Sequence, residues 1–224
     1  MLLNRKLALA ILFMGILYIF FVPEEPIPVK ITFKIIPMLL IILYAFRNMI
    51  EKESKFSWMI IMGLVFCMLG DGLLIWFVVG LSSFLIGHLF YAGGFFSRWT
   101  FSWLRFLTLL PIAAYSIFMG IHLVQALQEN REDTLIIPVI FYIFVISLMF
   151  WSAIMTGNIW AIFGSALFVI SDSLLSWNKF ISEIAFSGEL IMITYYTAQF
   201  LIAKSLSIGS INKYPLLSSK NLGR

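Results

Sequence analysis

Two carboxylic acids stand where carboxylic acids are rare. Asp71 and Asp172 each lie inside a long apolar run, Asp71 between Gly70 and Gly72, Asp172 between Ser171 and Ser173. An ionised carboxylate at the centre of a membrane helix costs at least about 2.5–3.5 kcal/mol on insertion scales, so such a residue faces the protein interior and serves function by default. Small neighbours let a second helix come close at that point. Two carboxyls sharing an apolar site resist ionising together, which reads as one proton donor and one anion. That pair suits acid catalysis through a cationic intermediate, as in glycosidases. It suits a proton relay in a transporter equally well, and a polar pair that merely ties helices together is the plain alternative.

The remaining polar candidates are few. Lys34, just inside the second apolar run, can balance an aspartate, hold a phosphate or snorkel from a helix end. His88 opens the fourth run with Tyr91 one turn on, and its imidazole suits proton traffic. Glu189, Tyr195, Tyr196 and Gln199 give the last run a polar stripe, with Tyr195 and Gln199 on one face, for packing or for binding a headgroup. Lys179 and Glu183 read as solvated loop charges. His88 and His122 are the only histidines and Cys67 the only cysteine, so no spacing supports zinc. No Gly-x-Ser-x-Gly elbow and no glycine-rich phosphate loop occurs. The expected chemistry uses no metal and no cofactor.

The elements that must position these residues follow from composition. Of 224 residues, 62% are hydrophobic and 12% charged, and the mean hydropathy is +1.01. A soluble domain carries about 25% charge, so this chain cannot build a polar skin. A soluble enzyme, a nucleic-acid reader, a disordered linker and a disulfide-built secreted domain are excluded. Continuous rather than alternating apolar runs predict helices, not barrel strands. A span needs roughly 20 residues, and eight are predicted: Leu7–Val22, Ile31–Phe46, Ser57–Val79, Leu81–Phe96, Leu104–Val124, Thr134–Thr156, Ile159–Trp177 and Gly188–Ser207. Only Val79 and Gly80 divide the third from the fourth. The fold expected is all-α, a single polytopic membrane domain over 1–224 with 208–224 as a cytoplasmic tail.

Charge at the breaks orients the chain. With eight spans both termini share one side, which collects eleven of the basic residues, among them Arg5, Lys6, Arg47, Lys52, Lys55, Arg98 and Arg105; the other side keeps Lys30, Lys34, Arg131 and Lys179. Positive charge stays cytoplasmic, so both termini are expected there and the net +4 faces an anionic leaflet. A basic start before an apolar run also fits a signal peptide, but Pro23, Glu24 and Glu25 follow instead of a small-residue cleavage site, and an uncleaved first span is expected.

Shifted by 101 residues, the chain matches itself without a gap. Pro37 meets Pro138, Gly63 meets Gly164, Asp71 meets Asp172, Trp76 meets Trp177 and Gly87 meets Gly188, with His88 opposite Glu189. Two parallel four-helix halves, about 1–100 and 101–207, are expected, related by an axis along the membrane normal. The aspartates would then lie at one depth and face each other across one cavity, roughly 7–8 Å below interfacial Trp76 and Trp177.

The same residues carry a resemblance. The stretch Gly63 through Asp71 to Trp76, continued by Gly80 through His88 to Tyr91, resembles the first signature of the YhhN-like lysoplasmalogenase family. Gly164 through Asp172 to Trp177 and Asn178 resembles the second. Lys34 to Pro37 is similar to its second-helix motif, and Thr194, Tyr195, Tyr196 and Gln199 to its ending; together the likeness spans about residues 20–207. The resemblance implies hydrolysis of the vinyl ether of lysoplasmalogens, releasing a fatty aldehyde and glycerophosphocholine or glycerophosphoethanolamine. It implies Asp71 and Asp172 as catalytic groups, and Lys34, His88, Tyr91, Asn178, Tyr195, Tyr196 and Gln199 as the substrate-binding set. The partners implied are a lysophospholipid and the bilayer, not nucleic acid, and animal members reside in the endoplasmic reticulum membrane. The chemistry is compatible: a vinyl ether is protonated at the carbon beta to oxygen, and water captures the oxocarbenium ion, with no metal or covalent nucleophile. A transporter or flippase for lipid or protons using the same aspartates is the rival class.

Overall fold

The computed structural model describes residues 2–207 of the chain, so the expected tail at 208–224 lies outside the described residues. The described part is helical throughout. Helix α1 spans Leu2–Phe21 and stops before Pro23; α2 spans Ile27–Asn48, starting after Pro26 with Pro28 in its first turn, where a missing N–H costs nothing. Helices α3 (Lys55–Leu73) and α4 (Phe77–Phe96) form a tight hairpin. A four-residue helix α5 (Trp103–Phe106) precedes α6 (Leu109–Glu129), and a 3-10 turn at Asp133–Leu135 leads into α7 (Ile136–Thr156). Helices α8 (Ile159–Phe180) and α9 (Ser187–Lys204) complete the bundle.

Local signals explain the ends of these helices. Helix α7 terminates at Gly157, which sits at φ +70°, a conformation that glycine adopts without steric cost. Asn158 then caps α8, its side-chain oxygen accepting from the N–H groups of Trp160 and Ala161. Seven helices are long and apolar enough to cross a membrane; the chain is a polytopic membrane protein. Helix α9 falls short on hydropathy because it carries Glu189, Tyr195, Tyr196, Gln199 and Lys204. Its tyrosines and glutamine are buried in the bundle.

Six helices close a ring: α2 packs on α3, α3 on α4, α4 on α7, α7 on α8, α8 on α9, and α9 back on α2. Helix α1 lies outside against α2 and α9, and α6 outside against α7 and α8. Glycine permits the closest approaches, as expected where no solvent drives helices together. A Cβ on Gly63 would lie 2.3 Å from the Tyr91 ring, and one on Gly164 would lie 2.8 Å from Ile202 and 3.0 Å from the Ala198 carbonyl.

Three details differ from the sequence reading. The α3–α4 break falls at Leu74–Trp76, not at Val79–Gly80. Gly80 belongs to the first turn of α4, where a Cβ would lie 2.7 Å from Leu74 Cα; it makes the hairpin close rather than breaking a helix. The expected fifth span is divided, with α5 ahead of a helix that runs on to Glu129. The gapless match also has a structural limit. Helix α3 ends at Leu73, whereas α8 continues past the corresponding Leu174 to Phe180. Gly87 is accordingly packed against Cys67 and the Gly63 carbonyl, while Gly188 has nothing within 4 Å.

Candidate active site

Asp71 lies in the last turn of α3, with 2% of its side chain exposed. The Lys34 ammonium, from α2, stands 3.2 Å from its Oδ1, and the Tyr195 hydroxyl, from α9, donates to Oδ2 at 2.7 Å. Neighbouring Tyr196 donates to the Lys34 carbonyl at 2.8 Å. That carbonyl adjoins the one on Phe33 that Pro37 leaves without its helical partner, and neighbouring helices commonly satisfy such loosened backbone in a membrane. Buried charge is stable only when paired and hydrogen-bonded, and Asp71 has both provisions.

Asp172 has different surroundings. It sits on α8 and lines a narrow cavity of about 70 Å³ between α4, α6, α7 and α8 that is open at a mouth. The walls are mostly apolar, among them Leu81, Phe84, Met119, Val139 and Ile146. Tyr142 of α7 donates its hydroxyl to Asp172 Oδ2 at 2.5 Å, and no cation pairs with Asp172 among the described residues. Tyr115, Ser116, Ser147, Ser173 and Ser176 add hydroxyls to the wall, each already engaged, as in the 2.8 Å bond from Tyr115 to Ser173. Lys179 lines the same cavity near the end of α8, its ammonium 4.4 Å from the centre of the Phe77 ring.

A third polar group lies between the two aspartates. His88 is fully buried, its ring edge-on to Tyr142 at 5.3 Å and to Phe168 at 4.6 Å. Neither ring nitrogen has a hydrogen-bond partner. Tyr91 donates to Gln199 Oε1 at 2.6 Å, and Phe168 also meets Tyr195 at 5.5 Å. Aromatic contacts thus run from Tyr195, which holds Asp71, through Phe168 and His88 to Tyr142, which holds Asp172.

The sequence reading named nine site residues, and the structure divides them. Lys34, Asp71, Tyr195 and Tyr196 form one cluster; Tyr91 and Gln199 pair beside it. Only Asp172 of the nine lines the cavity, so the aspartates do not face each other across it. Phe84, a wall residue, packs against Tyr195 at 6.0 Å, leaving Asp71 one aromatic layer behind the wall. Asn178 is turned to the loop, its Oδ1 accepting from the Ile184 N–H at 2.8 Å. The physical reason is common to these residues: hydroxyls and amides within a bilayer must find partners inside the protein, and most of the set is used that way. Tyr142 was not singled out, and Lys179, expected as a loop charge, lies on α8 at the cavity. Tyr142 is one tyrosine in a helix of otherwise unbroken apolar residues at that level, and Lys179 lies seven residues after Asp172 on the same helix, a spacing that marks a shared face. Among the described residues no three His, Cys, Asp or Glu side chains group to hold a metal ion.

A ring of long apolar helices that places one carboxyl on the wall of an apolar cavity and buries a second in an ion pair defines a polytopic membrane protein. The chain belongs to the YhhN family, whose model matches residues 29–206. It is similar to lysoplasmalogenase TMEM86B of Mus musculus, 29% identical over 206 residues that cover 90% of this chain and 86% of the mouse protein. It is also similar to lysoplasmalogenase TMEM86A of Homo sapiens, 36% identical over 161 residues, 65% of this chain and 64% of the human one. No solved structure matches.

Proposed function

We propose that this chain is a lysoplasmalogenase, an ether hydrolase that cleaves the vinyl ether of a 1-alkenyl-glycerophospholipid with Asp172 as the acid. The observation that carries the reading is the half-buried Asp172 carboxyl on the wall of an apolar cavity within the bilayer, in a chain whose relatives are named lysoplasmalogenases. The cavity suits an alkenyl chain, and its carboxyl suits the one chemical step that a vinyl ether needs.

Asp172 has a phenol donor and no cation, so the carboxyl carries a proton rather than an uncompensated charge. Tyr142 occupies Oδ2, which leaves Oδ1 to deliver the proton. Transfer to the vinyl carbon beta to oxygen breaks the carbon–carbon π bond and leaves an oxocarbenium ion beside the Asp172 carboxylate. Water adds to the oxocarbenium carbon and returns a proton to Asp172. The hemiacetal collapses to the aldehyde and a free glycerol hydroxyl, so one water is consumed per bond cleaved. Asp71 remains an anion held by Lys34 and Tyr195. His88 keeps Tyr142 in place by edge-on packing.

Residence in the endoplasmic reticulum membrane with both termini cytoplasmic belongs to the same reading, as does descent of the bundle from two parallel halves. Support for the halves comes from neighbour pairs that correspond: α3–α4 with α8–α9, α2–α3 with α7–α8, α4–α7 with α9–α2.

Purified protein tests the function. Wild type releases fatty aldehyde from 1-alkenyl-glycerophosphocholine, and Asp172→Asn lowers kcat by about 10²–10⁴-fold, the usual worth of a general acid. A folded Asp172→Asn variant with near-wild-type rates would exclude Asp172 as the acid.

A further inference from the structure

Lys34, one candidate from sequence for holding a phosphate, is committed to Asp71. A different cation lies on the cavity. Of the residues that line it, Lys179 is the only one with a positive charge. No carboxylate lies within ion-pairing distance of its ammonium among the described residues, and the ammonium rests over the rings of Phe77 and Phe180 at 4.4 and 5.6 Å. We propose that Lys179 is the anchor for the phosphodiester of a single-chain ether lipid, and that its spacing from Asp172 sets which bond of the lipid meets the acid.

The argument is one of length. Asp172 and Lys179 are seven residues apart on α8, almost two full turns, so they share a face with about 10.5 Å of rise between them. Helical side chains lean toward the N-terminus, which brings the Lys179 stem back toward Asp172. In a 1-alkenyl-glycerophospholipid seven bonds separate the carbon to be protonated from phosphorus, about 8 Å when extended. A lipid whose phosphate meets the ammonium therefore lays its vinyl carbon beside the Asp172 carboxyl. Its chain continues into the apolar part of the cavity, along Phe84, Ile146 and Val169. Lys179 is exposed and close to the end of α8, so the phosphate stays at the wet rim while the ether lies deeper. The aromatic rings beneath the ammonium hold it at the rim without neutralising it.

This inference rests on the lysoplasmalogenase reading for the identity of the reacting bond, but its test is a binding measurement that needs no turnover. The probes are 1-O-alkyl-glycerophosphocholine, a saturated ether with no vinyl group to hydrolyse; 1-O-alkylglycerol, which lacks the phosphate; and glycerophosphocholine, which lacks the chain. Full-length protein in nanodiscs binds the first at least about tenfold more tightly than the second. Lys179→Met abolishes that difference while leaving the affinity for 1-O-alkylglycerol unchanged, and Lys179→Arg retains it. A preference for the phosphate-bearing lipid that survives in Lys179→Met overturns the assignment. So does binding of glycerophosphocholine as tight as that of the lipid, because the site would then serve a soluble phosphodiester. Wild type that shows the predicted binding pattern yet releases no aldehyde from the alkenyl lipid would overturn the hydrolase reading and leave the anchor standing.

Discussion

At the scale of single residues, the two aspartates are unequal. Lys34 and Tyr195 neutralise and hold Asp71, whereas Asp172 meets a cavity with Tyr142 as its only side-chain donor. Removing one partner of a buried ion pair is costly because it strands the other charge. Lys34→Met should therefore lower stability by about 3 kcal/mol, and adding Asp71→Asn should recover most of the loss, as thermal melts of the detergent-solubilised variants would register. If the second change adds its own loss instead, the pair is not the stabilising unit. Tyr142→Phe leaves the Asp172 carboxyl unoriented; kcat should fall by roughly tenfold, the worth of one hydrogen bond between neutral groups, with KM little changed. The aspartates were legible in sequence because an acid in an apolar run is an anomaly by itself. An unequal pair was expected, but which aspartate is ion-paired was not legible, since it depends on Lys34 arriving from α2, Tyr195 from α9 and Tyr142 from α7.

At the scale of elements, the hairpin α3–α4 positions Asp71 and the pair α8–α9 supports Asp172. Each is drawn tight by a glycine that the sequence pattern had marked, Gly63 and Gly164. Gly63→Ala would drive a methyl group into the Tyr91 ring, which a 2.3 Å approach cannot admit. Overpacking of this kind costs about 1–3 kcal/mol, and the variant should melt lower and lose activity through displacement of α4. Gly188→Ala, at a site with nothing within 4 Å, should leave both unchanged; activity assays beside melting curves would separate the two outcomes. Apolar runs marked the eight long helices, but α9 is too polar to count among the seven apolar enough to span a membrane, and the fifth run is divided into α5 and α6. The α3–α4 break was misplaced because Gly80 reads as punctuation in sequence while its real use is close contact with Leu74. The gapless internal match could not reveal that α8 runs on to Phe180, because no glycine or proline between Leu174 and Phe180 marks where it stops. That extension is what carries Lys179 to the cavity.

At the scale of the whole molecule, the chain inverts the usual relation between charge and position. A polypeptide with 12% charged residues places most of them at helix ends and commits two carboxyls to its interior. The closed ring of six helices, with α1 and α6 outside, creates an apolar compartment on one flank, between α4, α6, α7 and α8. The proposed orientation rests on the basic residues at one set of breaks. Tags at either terminus should be accessible from the cytoplasmic side of sealed microsomes, and a tag protected at that face would reverse the orientation.

The central claim is protonation of carbon by an acid held in that compartment, and isotopic labelling reads it directly. Purified protein given 1-alkenyl-glycerophosphocholine in D₂O should release an aldehyde that carries one deuterium on the carbon next to the carbonyl, with label and aldehyde both lost in Asp172→Asn. Aldehyde without deuterium at that carbon, or protein that moves the lipid across liposomes and releases none, would contradict the account.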